Sequence, residues 1–402
     1  LASPMRWLIL TDNLLESIPS TIGRCTQLQK LMLSGNRLRD IPDEISMCTN
    51  LELVRLAANQ LQHPPMKLLQ LPNLAWIAFS GNPFLLSDRD NTESTLSQTK
   101  NDRSTETLSM TKSSSANKLL VIDDDNLDDP NNGELLGKGA SGVTRKFIIT
   151  NPNKFISSSS SPSYSQSLLK EHHTHVAVKE YASEMTSDGS PEEERRVSME
   201  ASLLHCDALV PIIGQTKKGS LVMQLLSNYH ALANPPSMKS CSRDVYDHNA
   251  VHKLHIPLAK HILLNLVNVL TKLHGIGICH GDFYGHNILV HYGTSQEEDD
   301  FDDVKLTDFG AAFFYPKDSD YGSFIEQIEI RAFGHLVEEI SALLKKKSCE
   351  LGSQNQYSTV LTTFANRLMN LVNMCLAHNF HDNPITFSNV STSLKSIIDI
   401  TN

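Results

Sequence analysis

The sequence predicts a multidomain protein in which an α/β solenoid of repeats precedes a second domain of mixed helices and strands. Three observations support this prediction. Asparagines recur at a fixed spacing near the N-terminus, a polar segment rich in Ser and Thr follows, and the remainder alternates apolar strands and a long amphipathic helix with short polar motifs. With 402 residues, 40% of them apolar, the chain is long enough for two or three domains.

The first domain, residues 1–86, is defined by a 23-residue period. The repeated asparagines are Asn13, Asn36, Asn59 and Asn82. A large apolar residue stands three positions before each of them, at Leu10, Leu33, Leu56 and Phe79. Apolar residues at this spacing fill a stacked core, while an asparagine side chain can bond to backbone groups left unpaired at a turn. The period therefore predicts one short strand in each repeat.

These repeats resemble leucine-rich repeats, whose pattern is LxxLxLxxNxL. The resemblance implies an α/β solenoid with a binding surface on its strand face. A plain solvated scaffold is the alternative. We expect a protein partner or substrate on this face, through the outward residues Ile9, Thr11, Met32, Ser34, Arg55, Ala57, Ala78 and Ser80.

Residues 87–130 are predicted to be a disordered linker. Residues 87–117 carry almost no large apolar side chains and are rich in Ser, Thr, Asp and Asn, so they cannot bury enough surface to fold. A flexible tether would raise the effective concentration of a partner bound to the repeats near the second domain.

Bulk properties exclude several classes of protein. The net charge of −10 gives no reason to expect nucleic acid as a partner. Seven cysteines without CxxC pairs indicate neither a zinc site nor a secreted disulfide framework. No apolar run approaches the roughly 18 residues of a membrane span. We therefore expect a cytoplasmic protein, with further sequence before Leu1 because the chain begins inside a repeat.

A glycine-rich stretch opens the second domain. Gly137, Gly139, Gly142 and Val143 form the pattern GxGxxGxV. Dinucleotide-binding folds share the glycines, but there a helix follows. Here residues 143–150 read as a strand, which favours a hairpin whose backbone amides approach phosphates closely.

The most informative motif runs from His280 to Leu289. Asp282 is followed five residues later by Asn287, then by an apolar strand, and some twenty residues on by Asp308, Phe309 and Gly310. This order is a phosphoryl-transfer signature. Each residue alone has a bland interpretation, but the ordered set is very unlikely to arise by chance.

Together these motifs resemble the protein kinase domain in a divergent HGDxYxHN form. The resemblance covers residues 131–400. It implies a two-lobed α+β domain with an N-lobe at 131–226 and a C-lobe at 227–400, and it implies ATP and Mg²⁺.

The resemblance also assigns roles to individual residues. Lys179, in Val-Ala-Val-Lys, would hold the α- and β-phosphates and pair with a helix glutamate, either Glu194 or Glu200; the spacing is more typical for Glu194. Asp282 would take the proton from the substrate hydroxyl or orient that hydroxyl as the nucleophile. Asn287 and Asp308 would bind Mg²⁺. The other residues expected to bind the nucleotide are Gly137, Gly139, Gly142, Val143, Ala177, Gln224 and Leu226.

Three positions depart from the family pattern. Gly281 stands where most protein kinases have the arginine that grips a phosphorylated activation loop, so such a switch should be weak here. Tyr284 and His286 stand where a lysine or an arginine usually supplies positive charge near the γ-phosphate, and either could donate a hydrogen bond instead.

The motif also resembles small-molecule phosphotransferases, but these usually lack Asp-Phe-Gly. We expect a leucine-rich-repeat protein kinase that phosphorylates Ser/Thr hydroxyls in signal transduction. The alternatives are a catalytically weak pseudokinase scaffold and a small-molecule phosphotransferase.

Overall fold

A computed structural model describes most of the chain. The described residues are 4–85, 120–128, 133–139, 141–150, 175–181, 185–293, 302–352, 354–377 and 384–400. They divide into two compact units. The first comprises Leu1–Pro83, Met185–Val210 and Ser227–Asn402, and the second comprises Phe84–Glu184 and Pro211–Leu226. The predicted linker up to residue 117 lies outside the described residues.

The 23-residue period forms one strand per repeat. The strands are β1 (Trp7–Ile9), β2 (Lys30–Met32), β3 (Leu53–Arg55) and β4 (Trp76–Ala78), and they pair in parallel in chain order. Equivalent positions of the period lie opposite one another, as Leu31 does with Val54 and Val54 with Ile77. Short 3-10 turns at Ser20–Arg24, Asp43–Met47 and Pro83–Leu85, and the helix α1 (Met66–Leu69), complete the repeats.

The repeated asparagines hydrogen-bond each repeat to its neighbour. The side-chain amide of Asn59 donates to the carbonyl oxygens of Leu56, in its own repeat, and Leu33, in the preceding one, both at 3.0 Å. Its carbonyl oxygen accepts from the backbone N–H of Leu38. Asn36 and Asn82 make equivalent bonds. Backbone groups that the short strands leave unpaired are thereby satisfied, which explains why asparagine recurs at this position.

The second unit is a seven-stranded sheet. Its strands are β5 (Leu120–Ile122), β6 (Leu127–Asp128), β7 (Glu134–Lys138), β8 (Gly142–Ile149), β9 (His175–Tyr181), β10 (Ile212–Thr216) and β11 (Leu221–Gln224). The order is β5-β10-β11-β9-β8-β6, with β7 paired to β8. The predicted linker ends earlier than expected, because the apolar run at β5 pairs with β10 and buries Ile122.

The rest of the first unit is mainly helical. Its helices are α2 (Pro191–Ser202), α3 (His248–Lys253), α4 (Ile256–Gly275), α5 (Gly322–Leu351), α6 (Gln356–Cys375) and α7 (Phe387–Asp399). Its strands are β12 (Tyr229–Ala231), β13 (Ile278–Cys279), β14 (Ile288–His291), β15 (Asp303–Leu306) and β16 (Phe313–Phe314). They form a three-stranded sheet, β12-β14-β15, and the pair β13-β16.

The repeats share a core with these helices. Leu53, Ala75 and Trp76 belong to the same buried cluster as the inner faces of α4, α5, α6 and α7. The sequence predicts separate domains for residues 1–86 and 227–400, whereas Leu1–Pro83 and Ser227–Asn402 pack into one unit. Among the described residues, α4 alone is long and apolar enough to cross a membrane, but half of it is buried in this core.

Candidate active site

The structure brings Asp282 and Asn287 into direct contact in the loop between β13 and β14. The side-chain amide of Asn287 donates to the backbone oxygen of Asp282 at 2.9 Å and to its carboxylate Oδ2 at 2.8 Å. Residues 280–287, called the catalytic loop below, therefore hold the predicted proton acceptor and one predicted magnesium ligand together.

Asp308 lies beside Asn287 because the β14–β15 ladder ends there. Ile288 pairs with Leu306, and Thr307 donates from both its backbone N–H and its hydroxyl to the carbonyl oxygen of Asn287, at 2.9 Å each. Asp308 is exposed and has a left-handed backbone, with φ of +57°. An amide and an exposed carboxylate are the oxygen ligands that Mg²⁺ accepts.

Asn287 and Asp308 remain the two predicted magnesium ligands. Within the described ranges, no three His, Cys, Asp or Glu side chains gather into a group that could hold a metal ion by themselves. Mg²⁺ commonly uses one or two protein groups, with phosphates and water completing its octahedron. Asn287 and Asp308 fit that role.

Glu329 on α5 fixes the backbone at the start of the catalytic loop. Its fully buried carboxylate accepts from the N–H groups of His280 at 3.0 Å and Gly281 at 2.7 Å, and it contacts His274 Nε2 at 2.7 Å. Burial alone would raise the pKa of Glu329, but the hydrogen bond and charge of His274 hold it below the ordinary value. The buried carboxylate of Glu329 therefore fixes the backbone at the start of the catalytic loop.

The repeats supply a cation to the same loop. Arg55 at the end of β3 has a side chain only 3% exposed. It donates from Nε to Asp188 at 2.9 Å, from Nη1 to the carbonyl oxygen of Gly281 at 3.1 Å, and from Nη2 to Asp282 Oδ1. Burial opposes the charge, yet the carboxylates of Asp282 and Asp188 raise the pKa of Arg55 above its ordinary value.

Gly281 is required by the close approach of the repeats. Its φ is +73°, in the left-handed region, and its carbonyl oxygen accepts from the backbone N–H of Ile77 at 3.1 Å. A Cβ atom there would collide with the carbonyl oxygen of Ile77 and come within 3.0 Å of that of Ala311. A side chain at this position is thus excluded by packing.

The buried hydroxyl of Tyr284 argues against the hydrogen bond near the γ-phosphate that was suggested for it. The side chain is buried and stacked on Trp76 with ring centroids 4.2 Å apart and planes 7° apart. Its hydroxyl is buried and has no hydrogen-bond partner among the described residues. Trp76 also donates from Nε1 to the carbonyl oxygen of Phe283 at 3.0 Å. Tyr284 therefore packs between the catalytic loop and the repeats.

His286 is likewise engaged inside the protein. Its backbone N–H donates to Asp244 at 3.1 Å, and its Nδ1 lies 2.7 Å from the other oxygen of that fully buried carboxylate. Burial lowers the pKa of His286, but the hydrogen bond and charge of Asp244 outweigh it and raise the pKa above the ordinary value. The imidazole is therefore tied to the segment before α3.

The predicted partner-binding face of the repeats is largely covered. Ser34, Arg55, Ala57, Ala78 and Ser80 are buried. The three alanines Ala57, Ala78 and Ala311 form one small cluster next to Gly310. Of the eight residues expected to face a partner, only Ile9 is more than half exposed. Partner binding on this face stays a prediction, for the β1 end of the sheet.

Glu194 and Glu200 differ in their surroundings on α2. Glu194 is buried, and a Cβ atom placed on Gly310 would lie 3.7 Å from its carboxylate. Glu200 is exposed. The preference for Glu194 is thus consistent with burial beside the Asp308–Gly310 turn, while its pairing with Lys179 remains a prediction.

The second unit contains the predicted nucleotide-binding residues except Glu194, which lies in the first unit. β7 and β8 form the expected hairpin, in which the N–H of Gly139 bonds to the carbonyl oxygen of Gly142 at 3.0 Å. A Cβ atom would collide with Glu180 at Gly142 but meets nothing within 4 Å at Gly137 or Gly139. Val143 lies on β8, opposite Glu180. Ala177 and Lys179 lie on β9. Gln224 is the last residue of β11, and Leu226 follows just beyond it.

Sequence reasoning missed five residues that shape the site. They are Arg55, Trp76, Asp188, Asp244 and Glu329. Two of them carried a signal. Arg55 stands at a repeat position that is otherwise apolar, with Ile9, Met32 and Ala78. Glu329 stands directly between two isoleucines of α5, Ile328 and Ile330, which are both buried.

Comparison with known proteins places the chain among kinase-like phosphotransferases. Residues 229–311 match the lipopolysaccharide kinase (Kdo/WaaP) family. The matched segment contains the catalytic loop and Asp308. No curated protein matches the chain.

Proposed function

We propose that this protein is a kinase that transfers the γ-phosphate of ATP to a hydroxyl group of a small polar molecule, such as a sugar. The observation that carries the proposal is the contact between Asp282 and Asn287 beside Asp308, inside a segment similar to the lipopolysaccharide kinase family. The sequence alone favoured a protein substrate, and the family match favours the small-molecule alternative instead.

The proposed reaction needs few groups from the protein. The acceptor oxygen bonds to the γ-phosphorus, the bond from that phosphorus to the β–γ bridging oxygen breaks, and ADP leaves. Asp282 takes the acceptor's proton or orients the hydroxyl, and later releases the proton to water. Asn287 and Asp308 would hold Mg²⁺, which neutralises charge on the phosphates when bound.

The segment after Asp308 supports a small acceptor. It runs only from Asp308 to the start of α5, and most of its large side chains face inward. Ala311, Ala312, Phe313, Tyr315 and Tyr321 are buried, and β16 pairs with β13. Little side-chain surface is left there to hold an extended peptide.

A Ser/Thr protein kinase is the second candidate. The order of the glycine-rich hairpin, Lys179, Asp282, Asn287 and the Asp308-Phe309-Gly310 turn favours it, because small-molecule kinases usually lack that turn. A catalytically weak scaffold would follow if the buried Tyr284 and the engaged Asp282 prevent transfer.

Labelled ATP distinguishes these candidates. The full chain with Mg²⁺ is incubated with a panel of sugars and with a Ser/Thr peptide library, beside Asp282→Asn, Lys179→Met and the exposed control Glu192→Gln on α2. We expect a sugar to be labelled, both active-site variants to lose at least ~100-fold in rate, and the control to match wild type. Labelling of peptides alone would replace the proposal by the second candidate, and thermal stabilisation by Mg-ATP without transfer would indicate the scaffold.

A further inference from the structure

We propose that Arg55 is a positioning residue of the active site, which the repeats supply to orient the carboxylate of Asp282 for phosphoryl transfer. This inference rests on the proposed function and names a part of its machinery that lies outside the catalytic segment. The repeats would then be a component of the enzyme as well as a docking module.

Arg55 and Asn287 hold the carboxylate of Asp282 between them. The two oxygens of the Asp282 carboxylate are held from different sides, Oδ1 by Arg55 and Oδ2 by the Asn287 amide at 2.8 Å. Two such contacts fix both the position and the plane of the carboxylate. Orientation of this kind is catalytically important, since a displacement of about 1 Å can cost roughly 100-fold in rate.

Arg55 also supplies positive charge to the catalytic loop. The catalytic loop contains no Lys or Arg, and His286 is tied to Asp244. Three carboxylates, those of Asp188, Asp282 and Asp308, lie close enough to influence one another. Arg55 contacts two of them directly. Without that cation, Asp282 and Asp188 would repel each other across a partly buried site.

The arginine at this position is specific to one of the four repeats. Arg55 is the one charged residue at its position in the four repeats, and Gly281 lacks a side chain where one would keep β4 away from the loop. A buried ion pair is seldom the most stable solution, because apolar residues of similar volume often do as well or better. Positioning explains the arginine where stability alone does not.

The experiment uses the full chain with two substitutions and a matched control. Arg55→Gln removes the charge, and Arg55→Lys keeps it without the planar fork. Arg331→Lys is the control, since Arg331 is also buried and also joins α5 to the repeats, donating to the carbonyl oxygen of Leu74 at 2.9 Å. Water serves as the probe acceptor, so kcat and KM are those of Mg-ATP hydrolysis, with thermal melting beside them.

We expect kcat to fall about 100-fold in Arg55→Gln and about 10-fold in Arg55→Lys, with KM for Mg-ATP within about twofold of wild type. The control should lower the melting temperature while kcat stays at the wild-type value. If Arg55→Gln does not fold, Arg55→Lys decides the matter.

Three results would overturn the inference. An unchanged kcat in Arg55→Lys and Arg55→Gln would mean that the contact is only structural. A kcat above wild type would mean that Arg55 inhibits the enzyme, and the proposed function would still stand. Wild-type protein that binds Mg-ATP but neither hydrolyses it nor labels any sugar of the panel would overturn the proposed function itself, and this result differs from the others because the failure already appears before any substitution.

Discussion

The catalytic loop is fixed by buried side chains from other parts of its unit, whereas the glycine-rich hairpin is held mainly by backbone pairing between β7 and β8. Glu329, Arg55 and Trp76 reach the loop from α5, β3 and β4. Around Gly137 and Gly139, by contrast, a Cβ atom would find open space. The loop is therefore held in place by packing, while the hairpin has the open space at these glycines that its predicted contact with a phosphate would need.

The largest effect should follow the loss of Glu329. Glu329→Ala leaves two buried N–H groups and His274 without their acceptor, so we expect a loss of about 3–5 kcal/mol in the free energy of unfolding, measured by denaturant titration. In the second unit, Glu180→Ala removes only an exposed contact with Arg145 and should cost less than about 1 kcal/mol. Equal losses would contradict the difference between the two regions.

A glycine pair tests the same comparison through the backbone. Gly281→Ala places a side chain at positive φ against Ile77 and should cost roughly 2–4 kcal/mol, the sum of left-handed strain and overpacking. Gly137→Ala meets nothing within 4 Å and should change the unfolding free energy by less than about 1 kcal/mol. Urea unfolding of both variants measures this, and a tolerant Gly281 would show that the repeats do not hold the loop closely.

Local patterns predicted the parts of the site that lie close together in sequence. Asp282 and Asn287 are five residues apart, so one loop brings them together, and the asparagine ladder follows from a period visible in the chain. The Arg55–Asp282 contact joins residues 227 apart. A single sequence does not say which face of a solenoid will be buried, so the same face was expected to bind a partner.

The interpretation of Gly281 shows how this limits sequence reasoning. The glycine in place of an arginine led to the expectation that a phosphorylation switch is weak here, and this stays a prediction. The structure adds a packing reason, since the backbone of Ile77 occupies that space. Tertiary contacts of this kind leave no periodic signal, although an arginine at a usually apolar repeat position is a clue.

The pH dependence of stability should differ for the two glutamates that follow one another on α5. Burial raises the pKa of Glu339 to about 7, despite the opposing charge of Arg243 and the hydrogen bond from Tyr246. A folded pKa above the unfolded value means stability that is complete below about pH 4.5 and is lost as the pH rises through 7. Tyr246 in turn lies against Gly285, so this effect acts on the support of the catalytic loop.

The variant Glu339→Gln isolates that contribution. The stability of wild type relative to the variant should fall by up to about 3 kcal/mol between pH 4.5 and pH 8, as urea unfolding at several pH values would show. Glu338→Gln is the control, because the nearby His335 and Arg243 lower the pKa of the more exposed Glu338, so its carboxylate stays ionised over this range. A wild-type advantage that grows with pH would contradict the assignment to Glu339.

The smallest of these effects should come from Trp76, which joins the repeats to the loop. Trp76→Phe keeps an aromatic ring over Tyr284 but leaves the buried carbonyl oxygen of Phe283 without its donor, so we expect a loss of about 1–2 kcal/mol. Trp7→Phe, at the opposite edge of the repeat sheet, is the matched control and should cost less. Circular dichroism during thermal unfolding measures both. Because the repeats share one core with the helices of their unit, the two should melt together in each variant, and separate melting of the repeats would mean that the catalytic loop does not depend on them.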